Sequence, residues 1–331
     1  MKVAIIGAGI SGLIAARGLD EKFDVTLFDK SRGVAGRMAT RQVPDHDVRF
    51  DHGAQYFTIR DPQCAALLKQ WLDQGVVARW EGQITALGPG AKPREENPER
   101  YVGVPGMNAL GKFLAEGLNV HLETTIQSAT KNEFDQWLLS DQESRQYGPF
   151  DLLICTAPPE QTGKILGDAN PWTAKLNQVT MNPCWATMLL FQSRLEVPLD
   201  GAFVQGSPLA WISRESSKPR RDASRDCWVL HASQEWSVEH LEEKPESITP
   251  QLQSALSEVL ETDLPEVVYA ASHRWRYSIP ANPLEETYLW DPESKLGVCG
   301  DWCGAPRVEG AILCGLGLGK FLLEESEPKL E

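Results

Sequence analysis

An apolar strand that runs directly into a glycine-rich turn opens the chain and constrains its fold more than any other feature. Residues 2–6 read Lys-Val-Ala-Ile-Ile, and the glycines of a G-x-G-x-x-G pattern follow at Gly7, Gly9 and Gly12. In a nucleotide-binding βαβ unit the first glycine permits a tight turn, the second admits a pyrophosphate, and the third lets helix and strand pack closely. The helix start, which includes Ser11, would face the phosphates with free N–H groups. The pattern predicts a dinucleotide site.

The residues after the second predicted strand indicate which dinucleotide is bound. Residues 25–28 are apolar and end at Asp29, near the spacing expected for the carboxylate that binds a ribose. An NAD-only Rossmann domain usually continues from the acid into a plain helix. Here Lys30 leads into a loop that contains Gly36 and Arg37. Gly36 permits close backbone approach, and Arg37 is able to bind a diphosphate, so the loop favours FAD over NAD.

A further segment, Asp-His-Gly-Ala-Gln-Tyr-Phe at 51–57, completes a recognisable set. Together these motifs resemble the flavin-containing amine oxidase superfamily. The resemblance implies that Asp29 is the ribose acid, that residues 36–37 are the G-R of the family's diphosphate loop, and that residues 53–55 lie beside the flavin ring. Ala35 stands where the family usually has the first glycine of that loop.

The end of the chain carries the other half of the resemblance. A short apolar strand at 296–300 is followed by Asp301, and residues 308–311 begin a helix rich in small side chains. The resemblance implies that Asp301 binds ribityl hydroxyls or approaches the pyrophosphate. The helix start would point at the flavin N1–C2=O edge, where a positive dipole end favours the reduced anion. Ile126 matches the position whose backbone meets the adenine.

These motifs predict one FAD, held noncovalently because no clear match to a cysteine attachment motif is found. The predicted cofactor-binding residues are Gly7, Gly9, Ser11, Gly12, Asp29, Lys30, Gly36, Arg37, Met38, Gly53, Ala54, Gln55, Tyr56, Ile126, Asp301, Glu309, Gly310 and Ala311.

The predicted fold class is α/β, with a Rossmann-type FAD-binding domain of the glutathione reductase/amine oxidase kind and an interleaved mixed-sheet substrate domain. Residues 1–56, 104–160 and 273–331 are assigned to the first domain, and 57–103 and 161–272 to the second. Periodicity predicts helices at 63–75, 105–117 and 250–260, and strands at 120–126, 136–139, 151–158, 187–191 and 227–231. Residues 88–98 are rich in proline and glycine and predict an exposed loop.

Composition excludes several classes of partner. The net charge of −14 disfavours nucleic acid and anionic membrane surfaces. The first strand begins by residue 3 and no apolar run reaches the ~18–20 residues of a membrane span, so a cytoplasmic location without signal peptide or membrane contact is expected. The seven cysteines are scattered and the six histidines do not cluster with acids, which predicts neither a disulfide framework nor a metal site.

Three aromatic residues are candidates for the catalytic site. Trp302 follows Asp301 directly, and a predicted strand places Trp275 and Tyr277 on one face with His273. Aromatic walls beside a flavin would sandwich a flat or cationic substrate. The alternative is that these side chains simply fill the core.

Two other features have competing interpretations. The basic run at 213–225 would bind phosphates of an incoming dinucleotide or form a solvated loop, and its proline and serine content favours the loop. Cys303 would be redox-active or a small buried hydrophobe, and free thiols are more often the latter.

Within the superfamily the motifs resemble the renalase-like group most. That resemblance implies an FAD-dependent oxidase that transfers hydride from 2- or 6-dihydro-NAD(P) to flavin N5 and then to O2, giving NAD(P)+ and H2O2. One alternative is a flavin amine oxidase or dehydrogenase acting on a small amine. Another is a flavoprotein whose FAD is structural or serves a non-redox reaction.

Overall fold

The computed structural model describes residues 1–92, 98–167 and 170–326. Its strands are, in chain order, β1 (Lys2–Ile6), β2 (Asp24–Phe28), β3 (Thr40–Val43), β4 (Val48–Asp51), β5 (Val77–Arg79), β6 (Ile84–Leu87), β7 (Tyr101–Gly103), β8 (Asn119–His121), β9 (Ile126–Lys131), β10 (Trp137–Asp141), β11 (Gln146–Phe150), β12 (Leu152–Cys155), β13 (Met181–Phe191), β14 (Gly201–Val204), β15 (Leu209–Arg214), β16 (Asp226–Ala232), β17 (Val267–Pro280), β18 (Leu289–Asp291) and β19 (Leu296–Val298). Its α-helices are α1 (Ile10–Leu19), α2 (Pro62–Asp73), α3 (Asn108–Ala115), α4 (Pro159–Leu166), α5 (Thr173–Gln178), α6 (Gln234–Glu239), α7 (Pro245–Leu260) and α8 (Val308–Glu325).

The Rossmann sheet has the strand order β18-β19-β12-β1-β2-β8. Its pairs are parallel except for β18 with β19. The apolar run of β1 suits the centre of a parallel sheet because both faces are covered. Val3 and Ile5 pack in a cluster with residues of α1 and α8, whereas Ala4 packs in a cluster with residues of β9 and β10 from a separate three-stranded sheet. The sheet therefore collects strands from both ends and the middle of the chain.

The mixed sheet has the order β17-β13-β16-β15-β14-β6, antiparallel except for the parallel pair of β14 with β6. Its register aligns a row of residues across the sheet, namely His273, Ala186, His231, Trp211 and Phe203. Paired residues point to the same face of a sheet, so this row presents aromatic and imidazole rings together. Helix α7 packs against β17, β13, β15 and β16.

Small side chains on α8 explain how the two ends of the chain pack together. A Cβ atom at Gly315 would lie 2.4 Å from the backbone oxygen of Ser11, so only glycine admits this approach of α8 to α1. The start of α8 is thereby fixed beside the start of α1.

The predicted fold class is confirmed, since a Rossmann sheet and a mixed sheet are both present. The predicted single strand at 120–126 is wrong, because the chain leaves β8 after His121 and bends at Glu123, where φ is +51°. The predicted helix at 105–117 is shorter in the structure, where α3 spans Asn108–Ala115. The predicted loop at 88–98 falls partly on residues 93–97, which lie outside the described residues. The division into domains stays a prediction.

Within the described ranges no helix is both long and apolar enough to cross a membrane.

Candidate functional site

The glycine-rich turn has the geometry that a phosphate site needs. Gly7 has φ +109°, and its N–H donates to the Phe28 carbonyl at 2.8 Å. A Cβ atom at Gly12 would lie 2.0 Å from the Gly7 oxygen, whereas one at Gly9 would meet no described atom within 4 Å. No side chain caps the N-terminus of α1. Open space therefore lies beside a helix start whose first N–H groups lack helical partners, as an anionic ligand requires.

Asp29 organises this turn from the end of β2. One of its oxygens accepts from the Ala8 N–H at 2.7 Å and the other from the Ser31 N–H at 2.8 Å. A carboxylate has about four acceptor positions, so Asp29 keeps the capacity to accept from a ribose hydroxyl. Lys30 instead donates to Gln161 at 3.4 Å on the exposed surface.

Ala35 has a positive φ, a backbone conformation that usually favours glycine. Its φ is +89° and that of Gly36 is +53°. Gly111 of α3 lies beneath it, and a Cβ atom at Gly111 would be 2.4 Å from the Ala35 methyl group. A non-glycine residue at positive φ costs of order 1–3 kcal/mol, and Gly111 leaves the room that the additional methyl needs. The loop keeps the path that a glycine would have given it.

Arg37 and Asp301 join the two predicted cofactor-binding ends of the chain. The Nη1 and Nη2 atoms of Arg37 donate to the two Asp301 oxygens at 2.8 and 2.6 Å, and Nη1 also donates to the Ser278 carbonyl at 2.7 Å. This bidentate pair is a geometrically specific, charge-assisted contact. The Arg37 side chain remains 32% exposed, so the guanidinium still has access to a ligand.

The start of α8 is fixed by side chains that were expected to touch the cofactor. Glu309 accepts from the N–H groups of Arg60 and Asp61, the latter at 2.7 Å. Ser11 donates to the Ala311 carbonyl at 2.9 Å. These side chains tie the start of α8 to its neighbours, and a cofactor here would meet backbone rather than the Glu309 or Ser11 side chain. No side chain caps α8.

The predicted flavin-side segment packs directly on the arginine loop. The Ala54 N–H donates to the Arg37 carbonyl at 2.8 Å, and a Cβ atom at Gly53 would lie 2.0 Å from that oxygen. The Trp275 indole donates to the His52 carbonyl at 2.8 Å. A Cβ atom at Gly53 would also lie 3.3 Å from the Trp275 ring. Trp275 is thus brought to the segment that carries Gly53.

His52 and His273 pack against the Trp275 ring and His231 contacts the His52 backbone, and we call these four residues the imidazole–indole wall. The ring of His273 lies 4.4 Å from Trp275 and 4.9 Å from His52, and His231 Nε2 lies 3.3 Å from the His52 carbonyl. Burial, with the charges of His273 and Arg41, lowers the pKa of His52 to about 3. Burial also lowers the pKa of His231 and of His273 to about 4. The wall is therefore uncharged at neutral pH.

The other aromatic candidates have different surroundings. The Trp302 side chain is fully buried, and its indole donates to the Ala157 carbonyl at 3.1 Å. Its expected place beside the cofactor stays a prediction. Tyr277 is half-buried, and its hydroxyl is hydrogen-bonded to Glu160. Burial and this hydrogen bond raise the pKa of Tyr277.

The basic run at 213–225 is not the solvated loop that its composition predicted. Residues 220 and 222–225 are exposed, but Arg214 and Lys218 are buried. Arg214 forms an ion pair with Asp226 at 3.3 Å. A buried cation needs a carboxylate partner, and the composition of the run does not reveal partners elsewhere in the chain.

Lys218 and Arg221 pair with Asp51 and Glu215, and we call these four residues the buried ion cluster. Asp51 Oδ2 lies 3.3 Å from Lys218 Nζ and 2.5 Å from Arg221 Nη2, and Glu215 pairs with Lys218. Burial alone would raise the pKa of Asp51, but Lys218 and Arg221, with hydrogen bonds from Thr40 and the Met107 N–H, lower this pKa below its ordinary value. Burial raises the pKa of Glu215. Lys218 is committed to these partners rather than to an incoming phosphate.

The buried ion cluster also holds the flavin-side segment. Glu215 accepts from the Asp51 N–H at 2.8 Å. Gln55 Oε1 accepts from Ser213 at 2.6 Å and from Lys218 at 3.4 Å. The Gln55 side chain, predicted as a cofactor contact, instead faces the mixed sheet. Sequence reasoning missed this cluster, and the only local signal was the i,i+3 spacing of Glu215 and Lys218.

The remaining predicted residues lie around the site without an assigned contact. Met38 and Ile126 have buried side chains, and Tyr56 packs against Trp80 and Trp211. Cys303 is buried, and burial raises the pKa of its thiol well above the ordinary value, which agrees with the structural interpretation. In the described part of the chain no group of three His, Cys, Asp or Glu side chains is arranged to hold a metal.

Known structures share this architecture. The putative protoporphyrinogen oxidase from Exiguobacterium sp. 255-15 superposes with a TM-score of 0.78 at 12% identity, covering 98% of this chain and 99% of that one. Wild-type putrescine oxidase bound to putrescine gives a TM-score of 0.74 at 14% identity over the same shares. At these identities the likeness concerns the α/β fold alone.

Family models make the assignment more specific. A model of NAD(P)-binding Rossmann-like domains matches residues 5–71, and a model of flavin containing amine oxidoreductases matches residues 81–317. The second match covers most of the chain, so the protein belongs to the flavin containing amine oxidoreductase family. It is a flavin-dependent oxidoreductase.

A curated relative adds a shorter match. The L-glutamate oxidase precursor of Streptomyces diastatochromogenes is 33% identical over 102 residues. That stretch is 29% of this chain and only 16% of the relative.

Proposed function

We propose that this protein is an FAD-dependent oxidase of the renalase-like kind that oxidises 2- or 6-dihydro-NAD(P). The observation that carries the proposal is the uncharged imidazole–indole wall beside Gly53. Imidazoles with pKa values of about 3 to 4 are weak bases at neutral pH. A dihydronicotinamide becomes aromatic on losing hydride and has no proton to lose, so it needs no general base.

The residues present fit a noncovalent FAD. The open space at Gly9 and the uncapped start of α1 suit its pyrophosphate, and Asp29 suits its ribose. Arg37 and Asp301 would bind its diphosphate and ribityl groups. When bound, the flavin would accept hydride at N5 and pass the electrons to O2, giving H2O2. The protein would orient the nicotinamide ring against Trp275 and exclude water with the surrounding rings. A cytoplasmic location belongs to the same proposal.

Anaerobic mixing of the purified flavoprotein with borohydride-reduced NAD, which contains 2-, 4- and 6-dihydro isomers, tests the proposal. The visible flavin band is followed and the isomers are separated afterwards. We expect rapid bleaching, consumption of the 2- or 6-isomer alone, and NAD+ as product. Bleaching by the 4-isomer alone, or no bleaching, would contradict the assignment of the substrate.

A small amine is the second candidate, because the family model describes amine oxidoreductases and the compared putrescine oxidase binds an amine. Trp275 would then contact the substrate nitrogen. Products separate the two functions, since an amine gives an aldehyde and ammonia whereas a dihydronicotinamide gives NAD(P)+. Bleaching by either donor would also exclude an FAD that is only structural.

A further inference from the structure

A cavity opens where α4 of the Rossmann unit meets the edge of the mixed sheet. Its volume is about 460 Å³. Tyr277 lines it, two residues beyond Trp275 on β17, which corresponds to about 7 Å along a strand. The volume lies within the usual range of about 300–1,000 Å³ for small-molecule sites. The cavity is thus near the imidazole–indole wall, and no residue predicted to bind FAD lines it.

The lining combines an apolar surface with cations. Met181, Pro183 and Leu241 supply the apolar side, and Lys164 and Arg276 supply the charges. The apolar side chains suit a flat base, and the guanidinium suits the oxygens of a phosphate. The protein as a whole has a net charge of −14, so an anion would be attracted here by the local positive charge of the cavity and not by the charge of the whole protein.

The neighbouring carboxylates do not cancel these cations. Glu242 accepts from both Nη atoms of Arg276, at 2.9 and 3.0 Å, and is shared with Arg274 at 3.1 Å. Two of the five N–H groups of Arg276 are used in this way, which leaves others for a ligand. Glu160 is paired with Lys164 at 2.6 Å and also hydrogen-bonded to Tyr277. In the lining itself, two cations, Lys164 and Arg276, stand against one carboxylate, Glu160.

We propose that this cavity binds the phosphate-bearing nucleotide part of a dinucleotide substrate, with Arg276 and Lys164 on the phosphates and the base against the apolar side. This inference rests on the proposed function, because it assumes that the nicotinamide end lies at the imidazole–indole wall. Arg276 and Lys164 then determine which substrates bind well and take no part in hydride transfer.

Two substrates that differ only in this part test the proposal: 2- or 6-dihydro-NAD and the corresponding dihydronicotinamide riboside, which has no phosphate. For Arg276→Gln and Lys164→Gln we expect kcat/KM to fall about tenfold with the dinucleotide, through KM, and less than twofold with the riboside. A charge-assisted hydrogen bond of the usual strength supports an effect of this size.

Matched controls remove the same charge outside the cavity. Arg79→Gln removes an exposed arginine that pairs with Glu99, and Lys69→Gln removes an exposed i,i+4 pair with Asp73 like that of Lys164 with Glu160. Both control variants should leave kcat/KM unchanged for the dinucleotide and for the riboside. Equal effects of Arg276→Gln on both substrates, or none on either, would overturn the proposal.

A binding measurement separates this inference from the proposed function. If the wild-type holoenzyme oxidises neither substrate, the proposed function fails, and calorimetric titration with ADP-ribose still tests the cavity. ADP-ribose binding that is weakened about tenfold by Arg276→Gln and unchanged by Arg79→Gln supports the site. Absence of ADP-ribose binding, or equal weakening by both variants, overturns it.

Discussion

The nucleotide turn and the buried ion cluster differ in how far their contacts reach along the chain. In the turn, Ala8 donates to Asp29, 21 positions away. In the cluster, Lys218 and Arg221 reach Asp51 across 167 and 170 positions. The conformation of the turn requires glycine at particular positions, and these glycines appear in the sequence at a fixed spacing. The buried ion cluster depends on charge compensation between segments that are far apart in the chain, and such pairing produces no local sequence pattern.

Substitution of two glycines of the turn should have the largest effect on folding and flavin binding. Gly12→Val would place a side chain against the Gly7 oxygen and should prevent the native turn, whereas Gly9→Val projects into open space. We therefore expect Gly9→Val to fold but to retain no flavin. Circular dichroism and visible flavin absorbance measure the two properties. A Gly9→Val protein with wild-type flavin content would contradict the phosphate turn.

Removal of Lys218 tests the other region. Lys218→Met leaves Asp51 and Glu215 buried with less compensation, and breaking a buried pair costs about 3–5 kcal/mol. Urea unfolding of the holoprotein measures the change in the free energy of unfolding. Lys69→Met, which breaks an exposed lysine–aspartate pair, should cost less than about 1 kcal/mol. Similar losses in the two variants would show that the cluster contributes no more than a surface pair.

Substitutions of Asp29 should weaken FAD binding less than those of the glycines, and in two steps. Asp29→Ala removes the acceptor of the Ala8 N–H and the proposed ribose contact, and a hydrogen bond to a charged group contributes about 1.5–3 kcal/mol. We expect the FAD dissociation constant to rise at least about tenfold. Asp29→Asn keeps an acceptor and should lie between alanine and wild type. Equal FAD retention in all three proteins would remove Asp29 from the site.

The smallest expected effect concerns pH. The histidines of the imidazole–indole wall have pKa values of about 3 to 4, so they stay neutral as pH changes from 5.5 to 8. The rate constant of flavin reduction by a dihydronicotinamide should change less than about twofold over that range. A loss of rate centred near pH 6.5, the ordinary pKa of histidine, would show that one of them titrates in the site.

The sequence predictions divide in the same way into local and long-range features. The glycine-rich turn was recognised from a local motif. The ion pair of Arg37 with Asp301 was not predicted, and the cofactor contacts of Asp29, Arg37 and Asp301 stay predictions. The burial of Trp302 could not be predicted, because adjacency to Asp301 does not determine which way a side chain points after a tight turn. The partners of Lys218 could not be inferred, because sequence spacing does not reveal which carboxylate a fold will bring to a lysine.

The cofactor itself tests the central claim that both ends of the chain form one noncovalent FAD site. Purified protein is denatured by heat or acid, and the released and protein-bound flavin are identified by absorbance and mass spectrometry. We expect about one FAD per chain, all of it in the soluble fraction. Flavin that stays attached to the denatured chain, release of a mononucleotide flavin, or a protein that cannot be loaded with FAD would contradict the account.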